Sequence, residues 1–189
     1  MVGSKLTLSL IVGLIFVLTV KAALYVQMTP YSDQNCKNQQ YGVGFSFLVG
    51  QCMGVGDNGV GATNIKVKVD GSHSNVTISE YGNYDTQCGT YNPNLDVSYE
   101  VGGCYRAPSY SDGSNNFIKY ANFVYVTIEE NPNIPIYGYR NSWYADSKCI
   151  SNPQWFFFFT NNTSFKYGDD AYLTYSCLDA ERMYFYIIN

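Results

Sequence analysis

Few residues in this chain have the reactivity that catalysis needs. His73 is the single histidine, and it stands in the turn-like run Gly71-Ser72-His73-Ser74 beside the sequon Asn75-Val76-Thr77. Hydrolytic triads and most catalytic zinc sites require a positioned imidazole, so this histidine reads as a solvated loop residue. Glu129-Glu130 and Asp169-Asp170 supply adjacent carboxylates of the kind a glycosidase divides into acid and base. Neighbours along a strand point to opposite faces, however, and these pairs read as turn acids. Gly54-x-Gly56-x-x-Gly59 spells the dinucleotide fingerprint, which works only where a strand meets a helix N-terminus. Here it precedes an alternating, strand-like segment and reads as a glycine loop. The expectation is a chain that is not an enzyme, with no catalytic residue and no metal ligand set; a secreted hydrolase using carboxylates alone is the remote alternative.

One acid recurs. Asp33, Asp85 and Asp146 each stand three residues before a cysteine, with Tyr31, Tyr84 and Tyr144 close by. An Asp in that position closes a turn by accepting hydrogen bonds from backbone amides. The same pair of residue types also suits a sugar, whose hydroxyls a carboxylate can hold while an aromatic ring covers the apolar face. These six residues are therefore the candidate ligand-binding set.

The elements that carry them repeat. An offset of 52 residues maps Cys36 onto Cys88, Cys52 onto Cys104, Val49-Gly50-Gln51-Cys52 onto Val101-Gly102-Gly103-Cys104, Val26 onto Ile78, and Asn64-Ile65 onto Asn116-Phe117. Tyr144-Ala145-Asp146-Ser147-Lys148-Cys149 repeats Tyr31-Ser32-Asp33-Gln34-Asn35-Cys36, and opens a third copy whose second cysteine, Cys177, comes late, after an insertion around 161–170. Repetition at this length marks one supersecondary unit used several times, with boundaries near 24–75, 76–133 and 134–189. A unit that repeats should carry its own staple. Of 15 connectivities open to six cysteines, the expected one is therefore Cys36 with Cys52, Cys88 with Cys104, and Cys149 with Cys177.

Within each unit the apolar period is two. Ile65, Val67 and Val69 alternate with Lys66, Lys68 and Asp70, while 117–128 and 134–144 are rich in β-branched and aromatic residues between turn formers,. The run Trp155-Phe156-Phe157-Phe158-Phe159 fits a strand buried on both faces, or an edge available to a partner or a second copy. The surplus of 19 Tyr and 11 Phe favours strands as well. The fold class is all-β: ten to twelve strands in a compact antiparallel barrel or sandwich, either trefoil-like or built of Greek keys.

The compartment follows from the N-terminus. A short start with Lys5, an apolar run over 6–20 and the small-residue pattern Val20-Lys21-Ala22 form a signal peptide, 1–22, ahead of a single domain, 23–189. The run is shorter than the roughly 20 residues that span a bilayer, and no second span follows. Removing Lys5 and Lys21 leaves 9 cations against 15 carboxylates, a net charge of −6, which is unsuited to nucleic acid or anionic lipid. Six cysteines without a CxxC pair read as disulfides of an oxidising compartment. Asn75, Asn161 and Asn162 head sequons, the last two overlapping,. The expected role is extracellular and non-catalytic: carbohydrate binding, cell adhesion or matrix, with glycans or cell-surface proteins as partners, or a structural coat protein that self-associates.

The segment from Val26 to Asn38, with Tyr31-x-Asp33-x-x-Cys36, resembles the opening of a Greek-key motif of the βγ-crystallin superfamily. It is also similar to the repeated Tyr-x-Asp-x-x-Cys units of small secreted, Tyr- and Asn-rich proteins of social amoebae, some of whose relatives are crystallin-like adhesion proteins. The resemblance implies Greek-key closure and an adhesive role. It would bring calcium as cofactor. Yet that superfamily's signature, two Asn/Asp, two further residues and then Ser/Thr-Ser, does not follow Asn115-Asn116, Asn161-Asn162 or Asp169-Asp170, and no cofactor is expected.

Overall fold

The computed structural model describes residues 22–55, 63–82, 84–90, 96–108, 122–132, 138–167, 171–179 and 182–188. The expected leader up to Lys21 lies outside them, as do Asn115-Asn116, Asn116-Phe117, Gly56, Gly59 and Asp169-Asp170. Among the described residues there are strands and turns only. None forms a helix long and apolar enough to cross a membrane.

The described residues form thirteen strands: β1 (Tyr25–Tyr31), β2 (Val43–Leu48), β3 (Cys52–Val55), β4 (Thr63–Val69), β5 (Asn75–Tyr81), β6 (Asp96–Glu100), β7 (Cys104–Arg106), β8 (Phe123–Glu129), β9 (Gly138–Tyr144), β10 (Pro153–Thr160), β11 (Thr163–Tyr167), β12 (Ala171–Asp179) and β13 (Arg182–Ile188). They form a six-stranded sheet ordered β7-β8-β1-β2-β10-β9, a four-stranded sheet ordered β3-β4-β5-β6, and a three-stranded sheet ordered β11-β12-β13. Pairing is antiparallel throughout. No sheet closes on itself. The all-β expectation therefore takes its sandwich form, without the closed barrel that a trefoil would need.

The six- and four-stranded sheets share one core. Registered rows run across the larger sheet: Ile128 opposite Val26, Val26 opposite Phe47, Phe47 opposite Trp155, and Trp155 opposite Trp143. The Trp143 and Trp155 rings stack with centroids 3.9 Å apart. From the smaller sheet Met53, Ile65, Val67, Val76 and Ile78 meet this face, all of them buried. Alternation at period two turns each strand's apolar set inward.

On the outer face the two sheets differ. Gln27, Ser46 and Phe156 form one row of the larger sheet and all three are buried, as are Tyr25 and Phe158. A Cβ on Gly44 would overlap the Phe158 ring, so only glycine lets that ring lie flat on β2. The central strands are thus buried on both faces, as the aromatic run predicts. β10 lies between β2 and β9, which corrects the reading of that run as an exposed edge; the edge strand is β9.

The two halves of the sandwich exchange partners. β3 and β4 leave the sheet that holds β1 and β2 and pair with β5 and β6, while β7 and β8 join β1 and β2. Hydrogen bonds at the two corners match: Gly50 donates to the Val67 carbonyl and Gly102 to that of Val126, both at 2.8 Å, with φ of 87° and 85°. These conformations favour glycine.

Registration also corrects one landmark. Val26 opposes Phe47 while Val76 opposes Tyr99, so Val76, not Ile78, takes the place of Val26. The second half has three residues between the end of β5 and Asp85, where the first has a single residue between the end of β1 and Asp33. A shift of two residues preserves the inward face, which is why the slip is silent in the hydrophobic pattern.

Candidate functional site

Asp33, Asp85 and Asp146 occupy matching loops after β1, β5 and β9. In each loop the cysteine amide donates to the Asp carbonyl, at 3.1 Å for Cys36, 3.1 Å for Cys88 and 3.3 Å for Cys149. The three cysteines then adopt φ of 50°, 50° and 55°, left-handed values that cost a non-glycine residue energy and persist only where surroundings hold them. The carboxylates do that holding. Asp33 accepts from the amides of Asn35 (3.1 Å), Lys37 (3.4 Å) and Asn38 (2.9 Å). Asp85 accepts from Gly89 (2.9 Å) and Thr90 (2.6 Å). Asp146 accepts from Lys148 (3.0 Å), Ile150 (3.1 Å) and Ser151 (2.9 Å), and also from the Ser151 hydroxyl.

Hydrogen bonds to the ionised form hold a carboxyl below its usual range. The Asn38 amide is the main cause at Asp33 and the Gly89 amide at Asp85. At Asp146 the Ser151 hydroxyl leads and the displacement is larger. The residue five after each acid, Asn38, Thr90 or Ser151, thus supplies a principal amide donor. The recurring Asp-to-Cys spacing is the sequence signal that could have located it.

The tyrosines are placed unequally. Tyr31 and Tyr144 end their strands half-buried, whereas Tyr84 belongs to the two-residue insertion and is fully exposed. Tyr81, buried, is the strand-ending tyrosine of β5. Counting strands across the larger sheet, β1 and β9 run in opposite directions. The Asp33 and Asp146 loops therefore lie at opposite ends of that sheet, and the Asp85 loop belongs to the other sheet. The structure keeps the three acids as three separate loops.

The disulfides overturn the within-repeat pairing. Cys36 bonds Cys104, with Cα atoms 5.8 Å apart, and Cys52 bonds Cys88, at 5.7 Å. Cys149 is unbonded and exposed; Cys177 lies in β12. The physical reason is the exchange of strands. β8 separates β1 from β7 by one strand's width, and the loop after β1 reaches over it to Cys104. The loop after β5 likewise reaches past β4 to Cys52. Both bridged strands, β7 and β3, are sheet edges, so each disulfide fastens an Asp-Cys loop to an edge strand.

The remaining candidates are scattered. His73 has φ 56° in a turn that Asp70 closes by accepting from the Ser74 and Asn75 amides. The Asn75 side chain donates to Asp70 as well and leads the causes that hold Asp70 at a pKa of about 2. Gly54 lies inside β3, and the next described element is the strand β4. Glu129 ends β8 half-buried and Glu130 is exposed. Among the described residues no group of three or more His, Cys, Asp or Glu could hold a metal ion.

Two open cavities flank Ala22 and Ala23. One, of about 390 Å³, is lined by Tyr25, Glu130, Arg140 and Phe156 among others; the Arg140 guanidinium sits 5.1 Å from the Phe156 ring centre. Burial pushes the Tyr25 hydroxyl up, and it donates to the Pro153 carbonyl at 2.7 Å. The other, of about 460 Å³, has Leu24, Leu48, Val49 and Ser151 in its wall.

Sequence reasoning also passed over a buried polar joint. Gly42 donates its amide to the hydroxyls of Thr160 (2.9 Å) and Thr163 (3.1 Å). The Asn122 side chain pairs with both the amide and the carbonyl of Val43, continuing the ladder where β2 begins.

Over residues 4–189 the chain matches the family model described as counting factor-associated protein A/B/C. No curated protein matches it, and no solved structure does.

Proposed function

We propose, from the chain's membership of the counting factor-associated protein family, that it is a secreted, non-catalytic component of an extracellular assembly. The family's description, association with a counting factor, is the observation that carries this reading. The signal-like leader and the similarity to secreted proteins of social amoebae support it. So does the architecture, in which two disulfides tie the loops after β1 and β5 to edge strands and hold those loops at fixed positions. Tyr84 in the loop after β5 and Ile150 in the unbridged loop after β9 are exposed, and an exposed tyrosine is a contact residue of the type that interfaces favour.

Size-exclusion chromatography of conditioned medium from cells expressing the tagged chain tests the reading. The chain is expected in the medium, eluting with partners well above its own mass of 21.2 kDa. Retention in the cell, or elution from the medium as a lone monomer, would overturn it. A second reading, carbohydrate binding, draws on the carboxylates of Asp33 and Asp146, which stand at the surface two residues beyond the strand-ending Tyr31 and Tyr144. Binding of the purified chain to a glycan array, lost in Asp33→Asn and Asp146→Asn, is its expected result; silence across the array removes it.

A further inference from the structure

We infer that of the two overlapping sequons Asn162 carries the N-linked glycan and Asn161 does not. The inference rests on the reading of the chain as secreted. Both residues lie in the tight turn between β10 and β11, but the turn presents them differently. Asn162 stands at its tip with φ 61° and is exposed, whereas Asn161 is half-buried. β10 and β11 belong to different sheets, so this turn is a corner between them, and the exposed Asn162 at that corner has room for a bulky polar group.

The hydroxyl that each sequon requires differs as well. For Asn161 it is Thr163, which is 2% exposed and committed to the joint described above, bonding the Thr160 hydroxyl at 2.8 Å and receiving the Gly42 amide. For Asn162 it is Ser164, exposed, with its hydroxyl paired to that of Thr174 at 2.7 Å. Transfer takes place on the nascent chain, and the fold then acts as a filter. A sugar on the half-buried Asn161, next in sequence to Thr160, would crowd the Thr160–Gly42–Thr163 joint, whose buried groups cost free energy if left unpaired. A sugar on Asn162 meets solvent, and the side-chain oxygen Oδ1 of Asn162 keeps its bond from the Ser176 hydroxyl at 3.1 Å.

In the modification step the Asn162 side-chain nitrogen forms a bond to the anomeric carbon of a lipid-pyrophosphate-linked oligosaccharide. The bond from that carbon to the pyrophosphate oxygen breaks, and the amide proton leaves with the lipid pyrophosphate. One hydrogen remains on the nitrogen.

The test uses the full chain secreted from a eukaryotic host, deglycosylated enzymatically in heavy-oxygen water, with the labelled aspartate located by peptide fragmentation. The label is expected on residue 162. Ser164→Ala, which destroys only the Asn162 sequon, is expected to remove the glycan from this turn, and Asn161→Gln to leave it in place. A label on residue 161, or a glycan that persists in Ser164→Ala, overturns the inference while leaving secretion intact. A chain that stays in the cell, with Asn75 unmodified too, overturns the secretion reading instead.

Discussion

The loops after β1 and β5 and the loop after β9 share one local design and end in different states. In all three an Asp carboxylate gathers the amides that follow it and a cysteine takes a left-handed conformation. The first two cysteines are each bonded to an edge strand of their own sheet, one strand beyond the neighbour, and the third presents an unbonded thiol to solvent. The difference does not arise in the loops. It arises from what lies beyond them: β7 and β3 are brought alongside by the exchange of strands between the halves, each with a cysteine at its first residue. At the corresponding place after the β10–β11 turn the chain has Ser164. A local motif therefore fixes the geometry of a cysteine, and the sheet order decides its chemistry.

The largest expected effect comes from breaking what the first two loops have and the third lacks. The Cys36–Cys104 bond closes a span of 68 residues and Cys52–Cys88 one of 36. Chain-entropy reasoning assigns each about 4 kcal/mol, the dependence on length being logarithmic. Because the shorter loop is nested in the longer, the two should not add in full. Urea unfolding of Cys36→Ala/Cys104→Ala is expected to lose that order of stability, with Cys52→Ala/Cys88→Ala close behind. A loss no greater than that of an ordinary surface substitution, below about 0.5 kcal/mol, would mean that the sheets alone hold the halves together.

Acid should separate the loops next. All three carboxyls are held below the ordinary Asp value by hydrogen bonds to the ionised form, Asp146 furthest of all. A carboxyl depressed in the folded state stabilises the fold above its unfolded value, and that contribution is lost as pH falls through the folded value. An NMR titration from about pH 6 to about pH 1 should therefore show amide midpoints below the unperturbed 3.9 or so. Ile150 and Ser151 should have lower midpoints than Asn38 and Thr90. Once protonated, the loop after β9 has no disulfide to hold it and should broaden, while Asn38 and Thr90 stay sharp. Midpoints at the ordinary value would show that the amides do not bond the carboxylates in solution.

How much of this the sequence carried depends on whether the cause was local. The alternation at Ile65, Val67 and Val69 placed β4, and the aromatic run placed β10 with both faces buried, because period-two burial is written in the residues themselves. The Asp-Cys spacing located all three loops. The disulfide pairing was illegible, since nothing in the residues around Cys52 says that β3 leaves the sheet of β2. Nor did composition reveal that Asn122, Thr160 and Thr163 would be buried around Gly42 and Val43. Polar residues at strand ends read as loop formers until the ladder they complete is known. The two-residue insertion before Asp85 stayed hidden for a related reason: it preserved the inward face of β5 and changed only which tyrosine, Tyr81 or Tyr84, ends the strand.

The smallest expected effect concerns the third cysteine. Cys149 is exposed, makes no disulfide and lies in a loop already closed by four hydrogen bonds to Asp146. Cys149→Ser should accordingly change stability by no more than about 0.5 kcal/mol, as surface substitutions do, in contrast to the loss at Cys36. Under native conditions a maleimide should add to Cys149, whereas Cys36, Cys52, Cys88 and Cys104 should react only after reduction, as peptide mapping of the labelled chain would show. If Cys149 instead resists the reagent until reduced, the third loop is bridged like the other two, and the contrast drawn between them does not hold.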